Sequence, residues 1–177
     1  MEICINRFGG GIMCVMITDQ STRCTGISIY KDGKYICSEM IDMSKSQLRT
    51  DERSFEMAKA IWERIDKYKP SHLVIEDTQQ QNNVKTVVTL ARLQGMIIGY
   101  AEAHGVKVHI LLPSKWRAIL KYSQGPKVKR QELKQQSIDY VKEHYGLDLP
   151  EDICESICMG EAAHKIYNFI EDDLWGN

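Results

Sequence analysis

The chain has no CxxC pair, no apolar run of membrane-spanning length, no secretory signal peptide, no internal repeat and no low-complexity tract. Each absence narrows the field. Six cysteines stand at 4, 14, 24, 37, 154 and 158, and their spacing points to neither a zinc ribbon nor a disulfide framework. Cys154 and Cys158, one helical turn apart, could share a metal with His164; buried thiols are the plainer account. Without a membrane-length run or a signal peptide, a soluble protein of a reducing cytoplasm is expected. No Ser–His or Cys–His arrangement suggests a protein nucleophile. A strong positive charge is missing too: 23 Lys and Arg face 24 Asp and Glu, for a net charge of −1. The overall balance therefore does not announce a nucleic-acid binder.

The charges that are present are unevenly spread. Residues 107–145 carry nine Lys or Arg against three acids, a net of +6. Residues 146–177 carry eight acids against one Lys, a net of −7. A basic segment beside an acidic one can bind phosphate on the first and a metal ion on the second. Chance segregation of surface charge gives the same pattern, so motifs must decide.

The 177 residues suit one globular domain, with 1–11, ending in three glycines, as a flexible leader. Apolar patterning predicts strands over 12–18, 24–30 and 34–41, the last two joined by an Asp32-Gly33 hairpin turn. Thr50 or Asp51 can cap a helix that ends at Pro70. A strand at 71–75, a polar loop at 78–83, a long apolar helix at 84–104 and a strand at 106–111 follow. Short and basic helices are expected from Pro113 to 120 and over 129–145, and a last one from Pro150 to about 170. The order β-β-β-α-β-α-β, followed by helices, implies an α/β fold. Its five-stranded mixed sheet joins an antiparallel meander to parallel strands, with helices on its faces.

Two strands deliver acids at their ends, Asp19 and Glu76. Ligand sites in open α/β sheets lie beyond the C-terminal ends of strands. If these strands are parallel neighbours, the carboxylates share an edge, an arrangement that is costly without a cation between them. Oxygen-only ligands favour magnesium or manganese. Asp152 and Glu155, spaced i, i+3, add two more acids on one helical face. Acids also cap helix starts without further role. Asp77 competes with Glu76 for the site, and Glu151 with Asp152.

"ITDQSTRCTGISIY" resembles the first strand-turn-strand of RuvC-type Holliday junction resolvases, which read roughly I-D-x-S-x-x-x-T-G. "LVIED" resembles their second acidic strand, and "EDICESICMGEAAHK" their last helix. The three blocks keep their order over about residues 13–168. The likeness is nearer to divergent phage-type members, which would put the chain in the cytoplasm of a bacterium or a phage-infected host.

The resemblance implies a ribonuclease H-like fold and an endonuclease that nicks branched DNA as a homodimer, leaving 5′ phosphates. Asp19, Glu76, Asp152 and Glu155 would hold two magnesium ions, with manganese able to substitute. Glu155 stands where the family usually has Asp. Lys129 resembles the family's phosphate-binding lysine, with Lys127 and Arg130 as competitors. Arg117, Lys121, Lys127, Lys129, Arg130 and Lys134 would line the DNA path. The family's aromatic after the second acid is absent from 78–82. The helix at 84–104 has apolar surface to spare and could form the dimer contact. No membrane partner and no nucleotide cofactor are expected. Competing readings are a related nuclease acting on RNA–DNA hybrids or forks, and a DNA-binding scaffold on the same fold. A sugar-kinase-like ATPase begins with a similar motif but needs a second lobe, for which 177 residues leave no room.

Overall fold

The computed structural model describes residues 13–78, 83–167 and 169. The leader expected over 1–11 and positions 79–82 of the polar loop lie outside the described residues. Strands β1 (Cys14–Asp19), β2 (Cys24–Lys31) and β3 (Lys34–Asp42) form an antiparallel meander. The Asp32-Gly33 turn has φ of 47° and 75°, the pair of positive values that lets a two-residue hairpin follow strand twist. Helix α1 (Thr50–Tyr68) leads to β4 (His72–Glu76), α2 (Val84–Ala103) and β5 (Lys107–Leu111). Helices α3 (Pro113–Ile119), α4 (Arg130–Tyr145) and α5 (Glu151–Tyr167) complete the described chain.

The sheet order is β3-β2-β1-β4-β5, with β4 parallel to both β1 and β5. The mixed sheet expected from patterning is therefore observed. Helix starts differ by a residue. The cap of α1 is Arg49, not Thr50 or Asp51, because Glu52 reaches back to accept from the Arg49 N–H at 3.0 Å. The same device starts α4, where Glu132 accepts from the Lys129 N–H at 3.0 Å.

Each face of the sheet has its own core. On one, Met16, Ile27, Ile29, Leu73 and Ile75 pack with Met57 and Ile61 of α1 and Leu93 and Ile97 of α2. On the other, Val15, Ile17, Tyr30 and Val74 pack with Trp116, Val141 and the inner face of α5. Fully burying one such aliphatic side chain contributes roughly 1.5–3 kcal/mol. Strand alternation then places the acids. Val15 and Ile17 lie on the α5 face, so Asp19 continues that row; Val74 lies there, so Glu76 does too. Asp77 follows the last residue of β4.

Candidate metal centre

Strand β1 pairs with β4 as far as Thr18 against Ile75. Asp19 and Glu76 follow at the same level on neighbouring parallel strands. Glu76 is held from several sides. Its carbonyl accepts from Gln20 Nε2 at 2.7 Å and Gln94 Nε2 at 3.2 Å. Its carboxylate oxygen Oε1 accepts from the Trp116 indole at 2.9 Å. Thr78 in turn donates to Gln94 Oε1 at 3.0 Å. These contacts join residues far apart in sequence, and none of Gln20, Gln94 or Trp116 stood out in the sequence as part of a site. The one local signal is that Trp116 adjoins Arg117 just after β5.

Helix α5 brings the remaining acids. Its start presses on β2 at Gly26, where a Cβ would lie 1.9 Å from the Asp152 carbonyl oxygen. Only glycine admits that approach. Gly26 also pairs with Asp19 across β1 and β2, so the contact sets Asp152 over Asp19. Further along, Ser28 donates to the Ser156 carbonyl at 2.9 Å and Tyr30 to the Ile157 carbonyl at 2.8 Å. Asp19, Asp152 and Glu155 each offer a carboxylate oxygen, all within 4.8 Å of one another. Glu76 stands beside this trio, linked to Glu155 through Arg117. The guanidinium lies 3.3 Å from Glu155 Oε1 and 3.8 Å from Glu76 Oε1.

Electrostatics follow from this crowding. Burial, then the fields of Glu155, Glu76 and Asp152, hold the Asp19 carboxyl well above the usual carboxylate range, against a pull from Lys134. Burial also raises Glu76, opposed by the Trp116 hydrogen bond and Arg117. Burial raises Glu155 against Arg117 and Lys134, and raises Asp152 against Lys134. Four acids that resist ionising together fit a site that takes divalent cations, and an all-oxygen donor set suits a hard ion.

The expected cations divide into two groups. Arg117, Arg130 and Lys134 line a cleft of about 540 Å³ with Asp19, Glu76, Asp152, Glu155, Asp77 and Glu151. Lys134 pairs with Glu151 and lies 3.9 Å from Asp152. Burial works against its charge, but Glu151, Glu155 and Asp152 outweigh it and raise its pKa. Lys121, Lys127 and Lys129 are exposed and outside the cleft lining, Lys129 at the α4 cap. Arg23, not singled out in the sequence, lines the cleft from the β1–β2 turn. The thiol site considered for Cys154, Cys158 and His164 does not form. Cys154 Sγ donates to the Leu149 carbonyl at 3.4 Å, Cys158 Sγ accepts from Tyr122 at 3.0 Å, and His164 Nδ1 lies 2.7 Å from the Gly160 carbonyl.

The family model described as crossover junction endodeoxyribonuclease RuvC matches residues 15–145. The chain belongs to the RuvC family. Among RuvC relatives, that of Corynebacterium glutamicum is 30% identical over 109 residues, covering 59% of this chain and 49% of its own length. That of Pseudarthrobacter chlorophenolicus is 37% identical over 68 residues, covering 38% of this chain and 35% of its own. The chain thus spans about half the length of the first of these relatives. Its fold is similar to that of Thermus thermophilus RuvC in complex with a Holliday junction substrate, with a TM-score of 0.65 and 15% identity. The alignment covers 88% of this chain and 94% of that one. The yeast mitochondrial Holliday junction resolvase aligns with a TM-score of 0.54 and 12% identity, over 84% of this chain and 76% of that one. At these identities the likeness establishes the RuvC fold, which is ribonuclease H-like. The family-model match ends before α5, so the case for the RuvC-like acids Asp152 and Glu155 rests on their geometry. Among the described residues, no helix is long and apolar enough to cross a membrane.

Proposed function

We propose that this protein is a divalent-cation-dependent endonuclease that nicks branched DNA and resolves four-way Holliday junctions. The observation that carries the reading is the convergence of Asp19, Asp152 and Glu155 within 4.8 Å, with Glu76 alongside, in a cleft rimmed by Arg117, Arg130 and Lys134. Family membership supports the same reading. Magnesium, or manganese in its place, would be held by Asp19, Glu76, Asp152 and Glu155. Two such ions would supply the charge that activates water and steadies the leaving 3′ oxygen, leaving a 5′ phosphate.

The chain's own groups do the rest. Trp116, Gln20 and Gln94 hold Glu76 in place. Lys134, set inside the cleft, is the cation best placed to offset charge on a phosphate oxygen. Lys129, Lys127, Lys121, Arg130 and Arg117 would hold DNA backbone on approach, contacts that position the strand without reading its sequence. A four-way junction needs two matched nicks, which a two-fold dimer supplies. Support for a homodimer comes from α2 and the start of α1, where Phe55, Val84 and Val88 are exposed along an apolar groove of about 1060 Å³.

The deciding experiment is cleavage of a labelled four-way junction, a fork, a linear duplex and an RNA–DNA hybrid, with magnesium and with EDTA. Junction nicking that needs metal is expected. Asp19→Asn and Glu76→Gln should each lower its rate by ~10²–10³-fold or more, the scale of losing a group that stabilises transition-state charge. Full activity in either variant defeats the site assignment, and cleavage of the hybrid alone replaces the substrate.

A further inference from the structure

The carboxylate set has two unlike halves. Asp19, Asp152 and Glu155 present three oxygens close together. The other half, between Glu76 and Glu155, already contains a positive charge. Arg117 Nη2 lies 3.3 Å from Glu155 Oε1 and 3.8 Å from Glu76 Oε1. All three side chains are largely buried, 15%, 9% and 21% exposed in the order Arg117, Glu155 and Glu76, so water screens the pair poorly. The guanidinium carbon sits 4.7 Å from the Trp116 ring centroid, a cation–π contact that holds it over the indole whose N–H binds Glu76.

Arg117 nonetheless lacks a full set of partners. Its Nε is buried and has no acceptor among the described residues. A guanidinium locked into a permanent structural pair normally has its donors satisfied, since an unmet buried donor costs free energy. This one gains an acceptor if it moves toward a phosphate oxygen. It is therefore held where it is by the two acids and is able to leave.

We propose that Arg117 is a displaceable counter-ion that closes the Glu76 half of the centre to metal in the DNA-free protein. Loading is then ordered. One divalent ion enters the Asp19–Asp152–Glu155 trio first, and a second gains Glu76 only once the guanidinium has moved away. The inference rests on the divalent-cation reading above and adds to it how binding is controlled.

The test counts Mn²⁺ ions by calorimetry and electron paramagnetic resonance on full-length protein without DNA. Wild type should bind one ion per chain. Arg117→Met removes the charge but keeps a long side chain, and should bind two. Without metal, this variant should also melt below wild type, because Glu76 and Glu155 lose their counter-charge, and Mn²⁺ should recover most of the deficit. Arg117→Lys keeps the charge and should stay at one ion, which guards against a fold defect in the methionine variant. Two ions on wild type, or one on Arg117→Met, overturns the counter-ion role while leaving the metal-dependent reading intact. No Mn²⁺ on any of the three proteins overturns the metal-dependent reading itself.

Discussion

Helices α2 and α5 lie on opposite faces of the same sheet and are used in opposite ways. The 20 residues of α2 are the more apolar in sequence, yet only Leu93, Gln94, Ile97 and Ala101 are buried. The 17 residues of α5 include four acids, yet ten of the 17 are buried, Glu155 among them. Apolarity alone does not say which helix is the core. What buries α5 is the sheet side: Gly26 without a side chain, and hydroxyls of Ser28 and Tyr30 that satisfy its carbonyls. What leaves α2 half-covered is that, among the described residues, no element lies over Val84 and Val88, which are 72% and 40% exposed.

The sharpest way to break this contrast is to remove the close approach at α5. Gly26→Ala puts a Cβ 1.9 Å from the Asp152 carbonyl oxygen, backbone that cannot swing aside. Overpacking of this kind costs about 3 kcal/mol, and denaturant unfolding should register it. Cleavage should fall further than stability predicts, since the shift carries Asp152 away from Asp19. Full activity at normal stability would mean that α5 is not seated as described.

A middle-sized effect should come from pH. Asp19, Glu76, Asp152 and Glu155 all have raised pKa values in the metal-free fold. A raised carboxyl favours folding while it is protonated. That gain is complete below the group's unfolded pKa, near 4, and fades as pH climbs through its folded value. Metal-free protein should therefore lose melting temperature as pH rises above about 4. Asp19→Asn should flatten the slope, and saturating Mg²⁺ should oppose it, because metal favours the ionised acids. An unchanged slope in Asp19→Asn would show that Asp19 is not the strained member of the set.

The smallest effect on the fold, and the most telling for α2, is Val88→Glu. An exposed position should alter unfolding free energy by no more than about 0.5 kcal/mol. If α2 meets a second copy, sedimentation should nevertheless shift from dimer to monomer, and paired nicking of a junction should become single nicking. A variant that stays dimeric moves the contact elsewhere.

Much of the geometry of the candidate site was readable because strands report it locally. A run of buried residues ending in an acid places that acid at a sheet edge, and alternation fixes its face; Asp19 and Glu76 needed little more. Asp152 and Glu155 were readable as neighbours on a helix, but their approach to Asp19 depends on Gly26, some 126 positions earlier. The cations were harder. Lys129 and Lys134 look alike in sequence, and only the seating of α4 against α5 puts Lys134, rather than Lys129, beside Glu151 and Asp152. Trp116, Gln20 and Gln94 act on Glu76 across 40, 56 and 18 positions, distances at which spacing carries no signal. The cap shifts to Arg49 and Lys129 have a smaller cause, a glutamate three residues on that reaches back.

The seating of α5 at Gly26 also bears on when the four acids come together. During synthesis the sheet acids Asp19 and Glu76 emerge well before Asp152 and Glu155, which belong to the last helix of the described chain. Until that helix docks, the face bearing Val15 and Ile17 lacks much of its cover and half the acids are missing. A nascent chain, or one cut short before α5, thus carries the basic residues of the cleft without the assembled acid set. If the protein cuts DNA as proposed, completion of the fold withholds strand scission from any chain that has not finished folding.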